Sequence, residues 1–386
     1  MIKKNLELYI HVPFCIKKCA YCDFLSFPAD EKMQEKYFDT LIRDIKYYGE
    51  NMLDYQVSTV YIGGGTPSWM NESLIQSLML YVYKSFDVSK DAEITIECNP
   101  GTLTSRKLLI YKQSGINRLS IGLQSADDEE LKILGRVHTY DQFLKSYESA
   151  RVAGFDNINV DIMSGLPKQT TEKMIDTLNK VIRLKPEHIS AYSLIIEKNT
   201  PFYNEYKFDL VKQEAGMKPD VLPDEDEVYR MYKATQSILA ESGYKQYEIS
   251  NFARKGFECR HNIGYWTREN YLGIGLGAAS LIENVRCTNT SDIYKYLSGE
   301  EVIVETLPVE RKEQMEEFMF LGLRMNRGVS RYDFERLFNT QIEAIYKDQI
   351  DELRREGLMD AKAGYIYLTE RGQDISNYCM AKFLLD

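Results

Sequence analysis

The regular alternation of strand-like and helix-like segments through the first half constrains this 386-residue chain more than any other feature. Short apolar runs at 6–12, 57–62, 92–97, 118–124, 157–163 and 188–194 read as six strands. Between them, apolar residues recur at helical spacing. The first such segment, 32–50, carries Met33, Tyr37, Leu41, Ile45 and Tyr48. Helices are also predicted over 72–86 (with Asn71 as N-cap), 105–114 (closed by Gly115), 128–134, 141–153 and 171–184. Strands alternating with helices imply βαβ units and a parallel sheet. Six units fit an α/β fold built as a partial (β/α)6 barrel, with an open doubly wound sheet as the structural rival.

Beyond 197 the pattern loosens. The stretch 197–225 is polar, carries Pro201, Pro219 and Pro223, and reads as an irregular insertion or lid. A helix over 226–239, a strand over 246–252 and a loop over 253–270 follow. The glycine-rich run 271–280 superficially resembles a dinucleotide fingerprint but lacks the βαβ context. It reads as backbone packed closely against a ligand or the barrel. After Pro308, helices at 311–325, 331–338 and 342–356 precede a hairpin at 357–368, an order expected of a winged-helix-like α+β unit. Residues 306–386 hold 12 basic and 15 acidic side chains, which favours a packing or partner-binding wing over a DNA reader.

Composition narrows the setting. Basic residues number 48 against 58 acidic ones, a net charge of -10 that disfavours a general nucleic-acid or anionic-membrane binder. No apolar run approaches the length of a membrane span, and no secretory leader is expected at the N-terminus. Four of the seven cysteines (Cys98, Cys259, Cys287, Cys379) are scattered and read as small buried hydrophobes rather than a disulfide framework. The expectation is a reducing, cytoplasmic location.

The other three, Cys15, Cys19 and Cys22, lie within eight residues on a loop entered through Pro13 directly after the first strand. Thiolates are soft ligands for zinc or iron–sulfur clusters. A structural zinc site needs a second pair of ligands, and a redox dithiol leaves Cys15 without a role. A four-iron cluster held by three cysteines accounts for all of them and leaves one iron open to a co-substrate.

The Cys-x3-Cys-x2-Cys spacing behind a strand resembles the radical S-adenosylmethionine (SAM) superfamily. That resemblance implies a 4Fe–4S cluster whose fourth iron takes SAM, reductive cleavage of SAM to a 5′-deoxyadenosyl radical, and a three-quarter barrel with ligands at the C-terminal strand ends. Residues 9–15 (Tyr-Ile-His-Val-Pro-Phe-Cys), 63–67 (Gly-Gly-Gly-Thr-Pro), 96–100 (Ile-Glu-Cys-Asn-Pro), 122–125 (Gly-Leu-Gln-Ser) and 161–167 (Asp-Ile-Met-Ser-Gly-Leu-Pro) resemble the oxygen-independent coproporphyrinogen III oxidase family. By that resemblance Tyr9 and Tyr21 pack against the cluster and SAM. Gly64, Gly65 and Thr66 let backbone approach the methionyl end of SAM, and Glu97 hydrogen-bonds it. Gln124, Arg136 and Asp161 are polar contacts near SAM or a second ligand. Read without the family, Glu97 is as well explained as a solvated strand end, Arg136 as a surface charge and Asp161 as a cap.

Two departures place the chain with the heme-chaperone branch of that family. Phe24 stands where the oxidases carry a further cysteine, and the first strand begins almost at once instead of after a longer extension. The branch also carries His-Asn-x-x-Tyr-Trp, matched at 261–266, which makes His261 a candidate heme ligand. A histidine capping a loop over packed aromatics is the plainer reading of the residue types alone. His11 is as well explained as a satisfied core histidine as by contact with the cluster. The resemblance implies a chaperone that binds heme and passes it to an acceptor protein, which could be membrane-associated, with an electron donor needed if SAM is cleaved and a homodimer possible. A radical enzyme acting on a porphyrin-type substrate and a non-catalytic metal- or partner-binding protein are the alternatives. The expected division is 1–205 for the barrel, 206–305 for a lid and heme-binding region completing the barrel side, and 306–386 for the C-terminal wing.

Overall fold

The computed structural model describes residues 3–300 and 302–385. The six strand–helix units appear in order: β1 (Lys4–Val12), α1 (Glu31–Asn51), β2 (Tyr55–Gly64), α2 (Glu72–Ser85), β3 (Val88–Cys98), α3 (Ser105–Gln113), β4 (Arg118–Gln124), α4 (Asp128–Ile133), α5 (Tyr140–Val152), β5 (Ile158–Ser164), α6 (Thr171–Arg183) and β6 (His188–Ser193). Side chains of Asp30, Asn71, Thr104, Asp127, Thr139 and Thr170 each accept a backbone N–H in the first turn of the following helix. Short polar residues before each apolar period therefore fix where the helices start.

β1 to β6 pair in parallel and in sequence order. Their outward residues, among them Leu8, Ile10, Val60, Ile62, Ile96, Leu119, Ile121, Val160 and Ile162, are buried in the main core. The alternate positions are Glu7, Tyr9 and His11 on β1, Thr59 and Tyr61 on β2, Glu93, Thr95 and Glu97 on β3, Arg118 and Ser120 on β4, Asn159 and Asp161 on β5, and His188, Ser190 and Tyr192 on β6. Parallel strands covered on both faces usually read as continuous apolar runs. Here one face packs on helices and the other encloses a polar cavity, so the strands alternate.

The second half departs from expectation in several places. The stretch 197–225 holds α7 (Pro201–Glu214), capped by Thr200 and started by Pro201, because proline in the first turn loses no hydrogen bond there. α8 (Glu225–Glu241) follows its Asp224 cap. The single strand expected over 246–252 is two, β7 (Lys245–Glu248) and β8 (Asn251–Ala253), antiparallel across a tight turn. The loop expected over 253–270 contains α9 (Arg260–Thr267). The glycine-rich run opens as β9 (Tyr271–Ile274), a seventh parallel strand beside β1, so it does pack closely against the barrel. β10 (Ala279–Ile282), β11 (Val285–Asn289), α10 (Ile293–Ser298) and β12 (Ile303–Pro308) continue from it. The sheet runs β12-β11-β10-β9-β1-β2-β3-β4-β5-β6-β8-β7, open rather than closed.

After α11 (Arg311–Gly322) come β13 (Val329–Ser330), α12 (Arg331–Phe338), α13 (Ile342–Arg355), β14 (Met359–Lys362) and β15 (Tyr365–Leu368), with two short helices to 381. The three strands form a separate sheet, β13-β15-β14, in the winged-helix-like order. A second core built on Met319, Leu323, Phe334, Phe338, Tyr346, Leu353 and Ile366 lies beneath it.

Candidate functional site

The cysteine loop is anchored at both ends. Cys15 N–H donates to Phe27 O at 3.1 Å and Phe27 N–H to Pro13 O at 2.8 Å, while Ala20 N–H reaches Leu134 O at 3.1 Å. The loop thus crosses the C-terminal ends of the strands, where parallel α/β folds place their ligands. Cys15, Cys19 and Cys22 share the wall of one cavity of about 650 Å3 that continues down the barrel to Arg118 and Asn262. Burial pushes up the thiols of Cys15 and Cys22, and Cys15 Sγ lies 3.4 Å from Thr66 Oγ1.

The Arg136 guanidinium links this loop to the strands. Its Nη1 donates to Cys19 Sγ at 3.7 Å, and its Nη2 to Asn99 Oδ1 and Gly122 O, both at 2.7 Å. Arg136 is therefore not the surface charge its residue type alone allows. Asn99 in turn donates to Thr66 Oγ1 at 2.9 Å. Gly64 N–H and Tyr61 O–H donate to the two oxygens of Glu97, each at 2.9 Å. Burial nevertheless raises that carboxyl to about 7, against the lowering effect of both donors. Glu97 is thus poised to change charge near neutrality.

Gln124 sits at φ +72°, a left-handed conformation that costs free energy in a non-glycine residue. Its Oε1 accepts from Tyr192 O–H at 3.0 Å. Asp161 accepts from Asn159 Nδ2 at 2.7 Å and from Ser120 Oγ at 3.4 Å, and burial raises it. Tyr21 also lines the cavity and packs on Phe202, with ring centroids 6.4 Å apart. Phe24 stands at the cavity rim and is 70% exposed.

Three expectations change. Tyr9 is absent from the cavity wall: its hydroxyl bonds His11 Nδ1 at 3.0 Å and its ring stacks on Tyr61. Gly64 and Gly65 are required by the protein's own packing. A Cβ at Gly64, where φ is +111°, would meet the His11 ring at 2.4 Å, and one at Gly65 would meet Phe14 O at 2.6 Å. His11 is a satisfied core histidine, since its other nitrogen lies 2.9 Å from Leu25 O.

His261 does not face solvent and is 1% exposed. It projects from α9 into the barrel, with Nδ1 2.7 Å from Thr59 Oγ1 and its ring stacked on Tyr61 at 5.1 Å. Burial lowers it to about 3, so the imidazole is neutral, and its Nε2 has no hydrogen-bond partner. Glu7 Oε2 lies 3.8 Å from Nδ1, and burial raises that carboxyl to about 9. Residue-type reasoning missed Arg118, Asn99, Asn159 and Tyr192. The polar residue at every second position of each strand is the signal that points to the three strand residues among them.

Residues 9–181 match the Radical SAM superfamily model, and residues 309–375 match the HemN C-terminal domain model. The heme chaperone HemW of Lactococcus lactis subsp. lactis (strain IL1403) is 36% identical, with 100% of this chain and 99% of that protein aligned. This chain belongs to the HemW family. The HemW proteins of Bacillus subtilis (strain 168) and Escherichia coli (strain K12) are 35% and 34% identical, covering 97% and 99% of this chain and 98% of each relative. Coproporphyrinogen III oxidase (HemN) from Escherichia coli, a radical SAM enzyme, superposes with a TM-score of 0.85 at 24% identity, over 100% of this chain and 91% of that one. That likeness shows the shared fold.

Membership of the radical SAM superfamily carries a 4Fe–4S cluster and SAM with it, and the donor set fits them. Among the described residues no side chains converge tightly enough to hold a single metal ion. A cubane cluster spreads its thiolates over three irons, so the sulfurs need to share a wall and not a point. Arg136 beside Cys19 offsets thiolate charge, and the cavity adjoining the loop is lined by groups able to hold a polar co-substrate.

Proposed function

We propose that this chain is a heme chaperone that carries a cluster on Cys15, Cys19 and Cys22, binds SAM beside it, and transfers heme to an acceptor protein. The full-length likeness to proteins named heme chaperone HemW carries this reading. Bound at the loop, the cluster supplies one-electron reducing chemistry. The chain's own residues position the ligands. Arg136 ties the Cys19 sulfur to Asn99 and the end of β4. Glu97, Gly64, Gly65, Thr66 and Tyr21 form the SAM-facing wall, with Gln124, Arg136 and Asp161 opposite. Tyr9 acts from behind that wall, holding Tyr61 and His11 in place.

His261 enters as the heme-side residue, supported by a neutral imidazole with one free nitrogen, the form that ligates iron. Heme reaches it by displacing α9. The C-terminal wing, with its own core, is the surface for the acceptor, and 1–205, 206–305 and 306–386 act as barrel, covering region and wing. No helix among the described residues is long and apolar enough to cross a membrane, which fits work in the cytoplasm. An acceptor at the membrane, an electron donor and a homodimer complete the proposal.

Titration of the cluster-loaded chain with hemin tests it. A saturable Soret band that is weakened in His261→Ala is expected. Absence of saturation in the unsubstituted chain would overturn the reading. The alternative, a radical enzyme acting on a porphyrin, predicts deoxyadenosine release coupled to coproporphyrinogen consumption.

A further inference from the structure

Arg118 opens β4 and is the largest side chain in the fully buried core, 1% exposed. It faces inward, level with Thr95 on β3, two positions deeper than Ser120 and four deeper than Gly122. It lines the deep end of the same cavity whose mouth carries the three cysteines. Among the described residues no carboxylate lies within ion-pair distance of its guanidinium, and its Nε has no hydrogen-bond partner. A buried cation without a counter-ion is costly, and folded proteins pair or neutralise such groups.

The acids around it are already committed. Glu93 caps α9, accepting from Arg260 N–H at 3.0 Å and His261 N–H at 3.3 Å. Asp161 is held by Asn159 and Ser120. Glu7 contacts His261 on the far side of α9's glycine, Gly264. His188 bonds Asn159 and Tyr247 through its two nitrogens, and so offers no charge. Around the guanidinium the cavity wall is made of Ser190, Ser250, Asn251 and Asn262, hydrogen-bonding side chains without charge.

We infer that Arg118 is an anion-binding residue at the floor of the barrel, taking a carboxylate of the molecule that occupies the cavity. Guanidinium binds carboxylate in a two-pronged geometry that lysine does not reproduce. Two sources supply that chemistry: a propionate of heme, or the amino-acid carboxylate of SAM. The inference rests on the reading of the cavity as the ligand site, and in the heme arm on the chaperone reading.

The test uses the full chain, with and without its cluster, in calorimetric titrations of the unsubstituted protein, Arg118→Gln and Arg118→Lys. Each is titrated with hemin and hemin dimethyl ester, and with SAM and decarboxylated SAM. The unsubstituted chain is expected to prefer the acid over its carboxyl-blocked partner in one pair by roughly tenfold or more, the loss expected on deleting a charge-assisted hydrogen bond. Arg118→Gln is expected to erase that preference, and Arg118→Lys to restore part of it. The pair that responds identifies the source. Equal preferences in all three proteins, or none in the unsubstituted chain, would overturn the inference. If Arg118→Gln does not fold, the acid-against-ester comparison in the unsubstituted chain and in Arg118→Lys still decides it. Hemin binding that ignores Arg118 sinks the floor site and spares the chaperone. Failure to bind hemin at all sinks the chaperone and leaves the SAM pair to judge Arg118.

Discussion

Glu7 is buried at 3% exposure, with Oε2 unpartnered and no cation close enough to hold its charge. Its carboxyl is raised from about 4.5 to about 9, with burial the first cause. Between those values the folded chain keeps a proton that the unfolded chain has released. Stability therefore falls as pH rises through that window, at roughly 1.4 kcal/mol per unit where the difference is complete. Glu7→Gln cannot ionise, so unfolding midpoints should match the unsubstituted chain near pH 4 and exceed it increasingly toward pH 9. Glu97 predicts a different readout at the cavity mouth. Because its carboxyl titrates near 7, SAM affinity should rise as pH crosses that value. The rise should vanish in Glu97→Gln, as measured by calorimetry from pH 6 to 8.

At the scale of elements, the β2–loop junction shows why a glycine run precedes Thr66. Gly64→Ala forces a Cβ into the His11 ring at a backbone angle that L residues rarely adopt. A loss of about 1–3 kcal/mol is expected in denaturant unfolding, from conformational strain alone. The six strands and their helices were legible because their periods are unambiguous and short polar caps mark each helix start. What lay hidden had weaker local signals. α7 begins at a proline that reads as a breaker, and α9 is too short, at eight residues, to show a period. β9 looks like a glycine loop because its pairing partner, β1, lies some 260 residues away, from Leu272 to Leu8, a contact no local window reveals. The site shows the same divide. The cysteine spacing is local and was plain. The depth of Arg118 and the burial of His261 depend on which strands meet across the barrel.

Taken whole, the molecule joins two cores through a few polar contacts. Glu317 on α11 accepts from Arg268 at 2.8 Å and from Arg286 at 3.0 Å, tying the wing to the α9–β9 connection and to β11. The side chains of Arg268 and Glu317 are only 8% and 10% exposed. Removing the acid strands a nearly buried cation. Glu317→Ala should cost about 2–3 kcal/mol, less than a fully buried pair because Arg286 remains over a third exposed. Limited proteolysis should then release the wing from the barrel more readily than in the unsubstituted chain. Since α9 sits between barrel and wing and carries His261, that joint also governs access to the proposed heme-side residue.

The central claim is that this scaffold delivers heme instead of oxidising a porphyrin. It is tested most directly by mixing the cluster-loaded, heme-loaded chain with an apo-hemoprotein and following the Soret band of each. The account predicts transfer of heme to the acceptor, faster than from an equal concentration of free hemin, with no coproporphyrinogen consumed in a parallel reaction containing SAM and reductant. Heme retained by the chain or never bound, together with SAM-dependent conversion of coproporphyrinogen, would contradict it.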